Sequence, residues 1–371
     1  MSGQLARTRV LLVFGGVSSE HQVSCLTAGG VARAIDSQRF EVIGVGITQH
    51  GDWVRIPAAE LAGYEVVDGV LPYVAEDRPS AVLLPGHPAS VATREGDRLV
   101  DIAAFDVAFA LLHGPYGEDG TIQGQFEMAG VRYVGAGVAA SAIGMDKDLM
   151  KRSMAAAGLP VGPWVTITPT EWAADRQECL QRAAQLSFPV FVKPARGGSS
   201  IGIVKVDHAS GLEAAISQAA SYDPKIVVEQ GFTAVREIEV AVLGSADGAP
   251  RVSSPGEIRM HTEDAFYDFE AKYLPDQQVS LDVPAHLDPE TAQRARELAG
   301  RTFAVMACEG LARVDLFLTA EGEFVVNELN TMPGFTRTSM FPMMWAAAGL
   351  EYPDLIATLI ELAQNRSLGL R

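Results

Sequence analysis

The stretch from Leu311 to Ser339 constrains the fold more tightly than any other part of the chain. It runs Leu-Ala-Arg-Val-Asp-Leu-Phe-Leu, then Thr-Ala-Glu-Gly, then Glu-Phe-Val-Val-Asn-Glu-Leu-Asn-Thr-Met-Pro-Gly. Two runs rich in Val, Leu and Phe on either side of a Gly-containing turn predict a β-hairpin. Alternation puts Arg313, Asp315 and Phe317 on one face of the first strand, and Phe324, Val326, Glu328 and Asn330 on one face of the second. A simple turn centred on Ala320-Glu321 sets Asp315 opposite Val326 and diagonal to Glu328, so that the two faces coincide. One surface then carries Arg313, Asp315, Glu328 and Asn330. Two carboxylates and an amide oxygen are hard ligands suited to Mg²⁺, and an Arg beside them can hold a phosphate or a developing oxyanion. The simpler alternative is a solvated charge cluster on an edge hairpin. These polar residues sit inside apolar strands, where unpaired charge is costly, and that favours a site.

A chain of 371 residues exceeds one small core and predicts two or three domains. The net charge of -17 argues against a broad nucleic-acid or anionic-membrane surface, while leaving room for a local basic pocket. Cys25, Cys179 and Cys308 are scattered and lack metal spacing, which reads as reduced structural thiols in a cytosolic protein. Arg7 and Arg9 precede Val10-Leu-Leu-Val-Phe14 as in a signal peptide, but the apolar run stops at Gly15-Gly16 and reads as a first buried strand. No run of about eighteen apolar residues predicts a membrane span.

Strand and helix alternate at the start. Val10–Phe14, a helix capped by Ser18 or Ser19 and running to about Ala34, and the strand Glu41–Ile47 begin a doubly wound domain with a parallel sheet. No G-x-G-x-x-G occurs, so a dinucleotide fingerprint is not supported. Glu20 and His21 lie at the carboxyl end of the first strand, where open α/β sheets bind ligands, although acidic residues are also common at helix starts. Residues 57–101 read as peripheral loops with one or two short strands. The strand Phe105–Leu112 runs into His113-Gly-Pro-Tyr-Gly-Glu-Asp-Gly120, and the composition changes near Gly137.

Phe188–Val206 reads as strand, Gly- and Ser-rich loop, strand. Inward N–H groups and Ser hydroxyls of such a loop can wrap phosphate oxygens, with Lys193 at its entrance. It is not a Walker A loop, and plain hairpin turns look alike. Glu229 and Glu237 flank a hinge-like segment between two strands. Glu263–Leu274 is aromatic and charged without period and predicts a functional loop. Pro289 to about Met306 is an amphipathic helix, Pro333–Met340 a loop, and a last helix starts near Pro353.

Six segments in this order carry a resemblance: Gly15-Gly16-Val-Ser-Ser-Glu20-His21, His113-Gly114 with Gly117-Glu-Asp-Gly120, Lys193-Pro-Ala-Arg-Gly-Gly-Ser199-Ser200-Ile-Gly202, Tyr267-Asp-Phe-Glu-Ala-Lys272-Tyr273, Arg313-Val-Asp315, and Asn327-Glu328-Leu-Asn330-Thr-Met-Pro-Gly334. Over nearly its whole length the chain resembles the D-alanine–D-alanine ligases of the ATP-grasp superfamily. The resemblance implies a three-domain α/β (α+β) fold. Residues 1–138 would form a Rossmann-like domain with a parallel sheet. Residues 139–231 would form a small α+β lid domain, and 232–371 an α+β domain with an antiparallel sheet, with ATP between the last two.

It further implies ATP-dependent joining of two D-alanines through an acyl phosphate, for peptidoglycan precursor synthesis, by a cytoplasmic homodimer. Asp315, Glu328 and Asn330 would hold two Mg²⁺ (or Mn²⁺), with a potassium ion near the phosphates. Lys147, Lys193, Ser200 and Lys272 would meet the phosphates, and Glu229 and Glu237 the adenine and ribose. Glu20 would fix the first ammonium, helped by His113. Arg313 and the Gly334 N–H would form the oxyanion site, and Ser339 and Met340 would contact the second substrate. Ser199 and Tyr273, linked to Glu20, would pin the loops closed. Tyr273 resembles the dipeptide-forming rather than the ester-forming type. The alternatives are a related ligase taking D-serine or D-lactate second, another ATP-grasp ligase of glutathione-synthetase or carboxylase type, and a non-catalytic ATP-binding regulator. The last would be expected to lose Arg313 or the metal ligands, which are present.

Overall fold

The structure, a computed structural model, describes residues 6–245, 248–260 and 279–368. The whole of the predicted loop Glu263–Leu274, with Lys272 and Tyr273, lies outside the described residues.

The apolar run after Arg9 forms β1 (Thr8–Gly15). It is followed by α1 (His21–Ala34), β2 (Phe40–Ile47), β3 (Trp53–Ile56), α2 (Ala58–Leu61), β4 (Ser80–Leu84), β5 (Ser90–Glu95), β6 (Arg98–Ala104), β7 (Val107–Ala110) and α3 (Thr121–Ala129). The strands make one sheet in the order β6-β5-β4-β3-β2-β1-β7. Only β2, β1 and β7 are parallel; β3 to β6 are antiparallel additions. Residues 57–101 are therefore more ordered than their sequence suggests. Their strands contain Arg94, Glu95, Arg98 and Asp101, and β6 exposes Leu99 and Ile102, so no clean alternation marks them. The cap expectation also changes: α1 starts at His21 with Glu20 as its N-cap residue and no side-chain cap bond.

Helices α4 (Val138–Met145) and α5 (Lys147–Ala156) lead to a second sheet of β8 (Trp164–Ile167), β9 (Val190–Pro194), β10 (Val204–Val206) and β11 (Ile226–Gln230). The order β10-β9-β11-β8 is antiparallel throughout. Its apolar face (Val190, Val192, Val206, Val228) packs on Cys179 and Ala183 of α7 (Arg176–Ala183), which follows the short α6 (Pro169–Ala174), and on Leu212 and Ile216 of α8 (Leu212–Ala219). A 3₁₀ turn, Ala209–Gly211, forms the start of the helix expected from His208.

The third sheet, order β15-β14-β12-β16-β17 with β13 on β12, comprises β12 (Arg236–Leu243), β13 (Arg251–Val252), β14 (Gly256–Met260), β15 (Val279–Asp282), β16 (Leu311–Leu318) and β17 (Phe324–Asn330). Helix α9 (Pro289–Val305) has the expected start, with Pro289 in its first turn and the Asp288 carboxylate accepting from the N–H groups of Glu290 and Thr291. Its Ala295, Leu298 and Phe303 pack on Val240, Val314 and Leu316, in a core that also takes Met150 and Met154 from α5. Two helices close the chain, α10 (Met340–Ala347), which starts at the last residue of the expected loop Pro333–Met340, and α11 (Tyr352–Gln364). Leu355, Ile356, Leu359 and Ile360 of α11 join Val10, Leu12, Phe14 and Val107 of the first sheet in one core. Each such burial stabilises by about 1.5–3 kcal/mol, so the last helix ties the first sheet to the third. Among the described residues no helix is long and apolar enough to cross a membrane.

Candidate active site

The expected hairpin is present, but its register is not the simple one. Leu318 pairs with Phe324 and Leu316 with Val326; the register then shifts, so that Asp315 pairs with Glu328 and Arg313 with Asn330. One residue, Asn327, is accommodated as a β-bulge. A bulge reverses the alternation beyond it. Phe324 and Val326 therefore face the core, and only Glu328 and Asn330 share the face of Arg313 and Asp315. The expectation that all four β17 residues share a face is corrected by this one insertion, which sets the two carboxylates directly opposite each other.

Across the sheet Asp315 also pairs with Glu239 of β12. The Arg313 guanidinium donates from Nε and Nη2 to Asp315 Oδ1 and Oδ2, each at 2.7 Å, and its Nε lies 3.1 Å from Glu239 Oε2. Burial works against the Arg313 charge, but Asp315 and Glu239 outweigh it and hold its pKa well above the ordinary value. Asn330 Nδ2 donates to Asp315 Oδ2 at 3.0 Å. The oxygens of Asp315, Glu328 and Asn330 make a hard donor set that fits Mg²⁺. Among the described residues no three His, Cys, Asp or Glu side chains form a cluster able to hold a metal. A Mg²⁺ here would therefore depend on phosphate oxygens and water for its remaining positions, which is its usual preference.

The Gly-Ser loop folds onto the first sheet. The Glu20 N–H donates to Ser18 Oγ, and the Ser199 hydroxyl donates to Glu20 Oε1 at 2.5 Å. Ser199 and Ser200 have φ of 48° and 57°, a left-handed conformation costing of order 1 kcal/mol each, which the closed loop must offset. A Cβ on Gly198 would lie 2.9 Å from Glu20 Oε2. On Gly114 it would meet the same oxygen at 3.1 Å, at a φ of +72°. Glycine at both positions lets two backbones approach one carboxylate.

Helix α5 supplies two lysines on one face, four residues apart. Lys147 Nζ donates to the Gly197 carbonyl at 2.6 Å. Lys151, 3% exposed, lies 3.6 Å from Glu229 Oε1, while Lys193 Nζ donates to Glu229 Oε2 at 2.7 Å. Burial would raise the Glu229 pKa, but Lys193, Lys151 and Lys147 outweigh it and bring it down to about 2. The start of α5 is held in turn. Asp146 accepts from the N–H groups of Asp148 and Leu149, and Lys225 Nζ donates to both Asp146 oxygens, 2.8 Å from Asp148 Oδ2. These pairs tie the lysine-bearing helix to the second sheet.

His113 Nδ1 lies 3.0 Å from the Met332 carbonyl, which can only accept, so Nδ1 carries the proton. Burial holds the ring below the ordinary histidine pKa despite the pull of Glu20, leaving it neutral, with the Nε2 lone pair unpartnered among the described residues. Glu118 accepts from Gly114 N–H and Met332 N–H, at 2.8 and 3.0 Å.

These groups line one cavity of about 360 Å³. Glu20, His113, Lys147, Lys193, Ser199 and Ser200 line it, as do Glu229, Glu237, Arg313, Asp315, Glu328, Asn330 and Gly334. Ser339 and Met340 do not. The Ser339 hydroxyl is 2.7 Å from Thr336 Oγ1, and Met340 is buried in the apolar core. Lys151, Glu239 and Glu118 also line the cavity and were missed. Each had a signal: Lys151 is one helical turn beyond Lys147, Glu239 is in step with Glu237 along an apolar strand, and Glu118 sits in the Gly117–Gly120 motif.

Two family profiles match the chain, described as D-ala D-ala ligase N-terminus over residues 9–136 and D-ala D-ala ligase C-terminus over 153–361. The chain belongs to the D-alanine–D-alanine ligase family. It is 50% identical to a D-alanine–D-alanine ligase of Paenarthrobacter aurescens, over 98% of this chain and 97% of the relative. It is equally identical to one of Mycobacterium tuberculosis, with the same coverage. Among solved structures it is similar to the VanG D-Ala:D-Ser ligase of Enterococcus faecalis (TM-score 0.82, 32% identity, 96% and 100% of the two chains). It is also similar to the D-alanine–D-alanine ligase of Coxiella burnetii (TM-score 0.79, 31% identity, 96% and 94%). The fold of this family is the expected ATP-grasp fold. A D-serine second substrate is not favoured, since the relatives at about 50% identity are D-alanine–D-alanine ligases.

Proposed function

We propose that the cavity residues carry out this family's reaction, the ATP-dependent joining of two D-alanines for peptidoglycan synthesis, in the following roles. Glu20 and the His113 Nε2 lone pair both accept hydrogen bonds, and together they hold the ammonium of the first D-alanine. Its carboxylate attacks the γ-phosphorus of ATP; a P–O bond to ADP breaks and an acyl phosphate forms. The amine of the second D-alanine then attacks the acyl carbon and loses a proton, and phosphate leaves with its bonding pair. Arg313 and the Gly334 N–H face the oxyanion that develops at this step. Lys147, Lys193 and Ser200 hold ATP phosphates. Glu229, kept ionised by its lysines, accepts from the adenine amine, and Glu237 takes the ribose. Asp315, Glu328 and Asn330 would hold two Mg²⁺, which when bound neutralise phosphate charge. Ser199 closes the loop over Glu20 and excludes water. Ser339 and Met340 would act on the second substrate only indirectly, through the loop that leaves β17.

The observation supporting this reading is that one cavity gathers Glu20, Lys193, Arg313 and the paired carboxylates Asp315 and Glu328. Glu328→Ala tests it. Turnover and calorimetric Mg²⁺–nucleotide binding should both be lost with the circular dichroism spectrum unchanged; normal binding and turnover would sink the assignment. We further place the protein in the cytoplasm as a homodimer of three-domain chains bounded near 138 and 231, with α5 and α11 bridging them. Light scattering tests the dimer.

A further inference from the structure

The loop that leaves β17 carries Gly334, and it is fastened on both sides. Beyond Gly334, Phe335 is fully buried and its carbonyl accepts from the Tyr352 hydroxyl at 2.7 Å. Before it, Met332 has both backbone groups held by the segment His113–Glu118: its N–H donates to Glu118 Oε1, and its carbonyl accepts from His113 Nδ1. Glu118 uses its other oxygen for the Gly114 N–H, beside Glu20. One carboxylate thus accepts two N–H groups from loops that are 214 residues apart in one case and four in the other.

We infer that Glu118 is a positioning residue that sets the Gly334 loop against the site of the first D-alanine, so that the acyl phosphate meets the second amine rather than water. The inference rests on the assignment of the Gly334 N–H to the oxyanion. The two N–H donors sit on different oxygens of the one carboxyl group, so both its oxygen positions must accept. Glutamine offers one acceptor and one donor, so in either amide orientation one N–H faces an NH₂ group and its contact is lost.

The test measures phosphate released and dipeptide formed by the full-length protein with ATP, Mg²⁺ and D-alanine. The wild-type ratio should be near one, and absence of wild-type dipeptide would sink the functional reading itself rather than this inference. In Glu118→Gln dipeptide formation should fall about ten-fold, in line with losing one buried hydrogen bond. The phosphate-to-dipeptide ratio should at least double, with the KM for ATP within two-fold of wild type. Loss of turnover with an unchanged ratio would mean a merely structural role and overturns the inference. Should the Gln variant not fold, Glu118→Asp keeps both acceptors on a shorter stem. The same rise in ratio supports the inference, and a ratio of one overturns it.

Discussion

Ser199 and Glu20, 179 residues apart, are joined by a hydrogen bond of 2.5 Å from hydroxyl to carboxylate. This bond fastens the Gly-Ser loop of the second sheet to the helix start of the first, and it orients the carboxylate assigned to the substrate ammonium. A hydrogen bond to a charged group contributes about 1.5–3 kcal/mol. Ser199→Ala should therefore lower kcat/KM for D-alanine by about ten- to a hundred-fold, while the KM for ATP changes by less than three-fold. Steady-state kinetics with each substrate varied in turn will check this. An equal loss in both would show that the bond does not act on the amino-acid site.

Lys151 is a buried cation 3.6 Å from a Glu229 oxygen, and Lys193 engages the same carboxylate. Lys151→Met removes one of the lysine charges that fix this carboxylate while preserving bulk. The KM for ATP should rise about ten-fold, equivalent to roughly 1.4 kcal/mol, with the KM for D-alanine unchanged. Unaltered nucleotide affinity by calorimetry would remove Lys151 from the ATP site.

Glu229 also sets an acid limit. Its pKa in the folded protein, about 2, is below the ordinary glutamate value of 4.5, so the unfolded chain binds more protons between those values. The stability it contributes is fully present above about pH 4.5 and is lost as pH falls toward 2. Glu229→Gln should reduce stability at neutral pH, by leaving buried lysines unpaired, and should flatten the acid limb of a denaturation-against-pH curve. An unchanged acid limb would show that other carboxylates govern it.

Much of this was legible in the sequence where one residue type has one physical use. The run Val10–Phe14 stops at two glycines and so reads as a buried strand, the Gly-Ser segment reads as a loop, and Asp315 within an apolar strand is costly unless it faces a site. What was hidden depended on backbone detail that composition does not encode. The bulge at Asn327 has no sequence signature, yet it decides which β17 residues meet Asp315. Strands β5 and β6 mix charge into both faces at a sheet edge, and β4 is a short apolar run after Ser80, so none of them carries a clean alternation. Glu118 looks like any acid in a turn until its two N–H donors are in place. Lys151 reads as a solvated helix residue until its burial beside Glu229 is seen.

The central claim is that this cavity joins two D-alanines at the expense of ATP. Its most direct test is phosphate release from ATP and Mg²⁺ with D-alanine, L-alanine, D-serine or D-lactate added singly. The account predicts release strongly stimulated by D-alanine, with D-alanyl-D-alanine formed in equal amount, and little response to L-alanine or D-lactate. Release that ignores D-alanine, or proceeds without dipeptide, would contradict it.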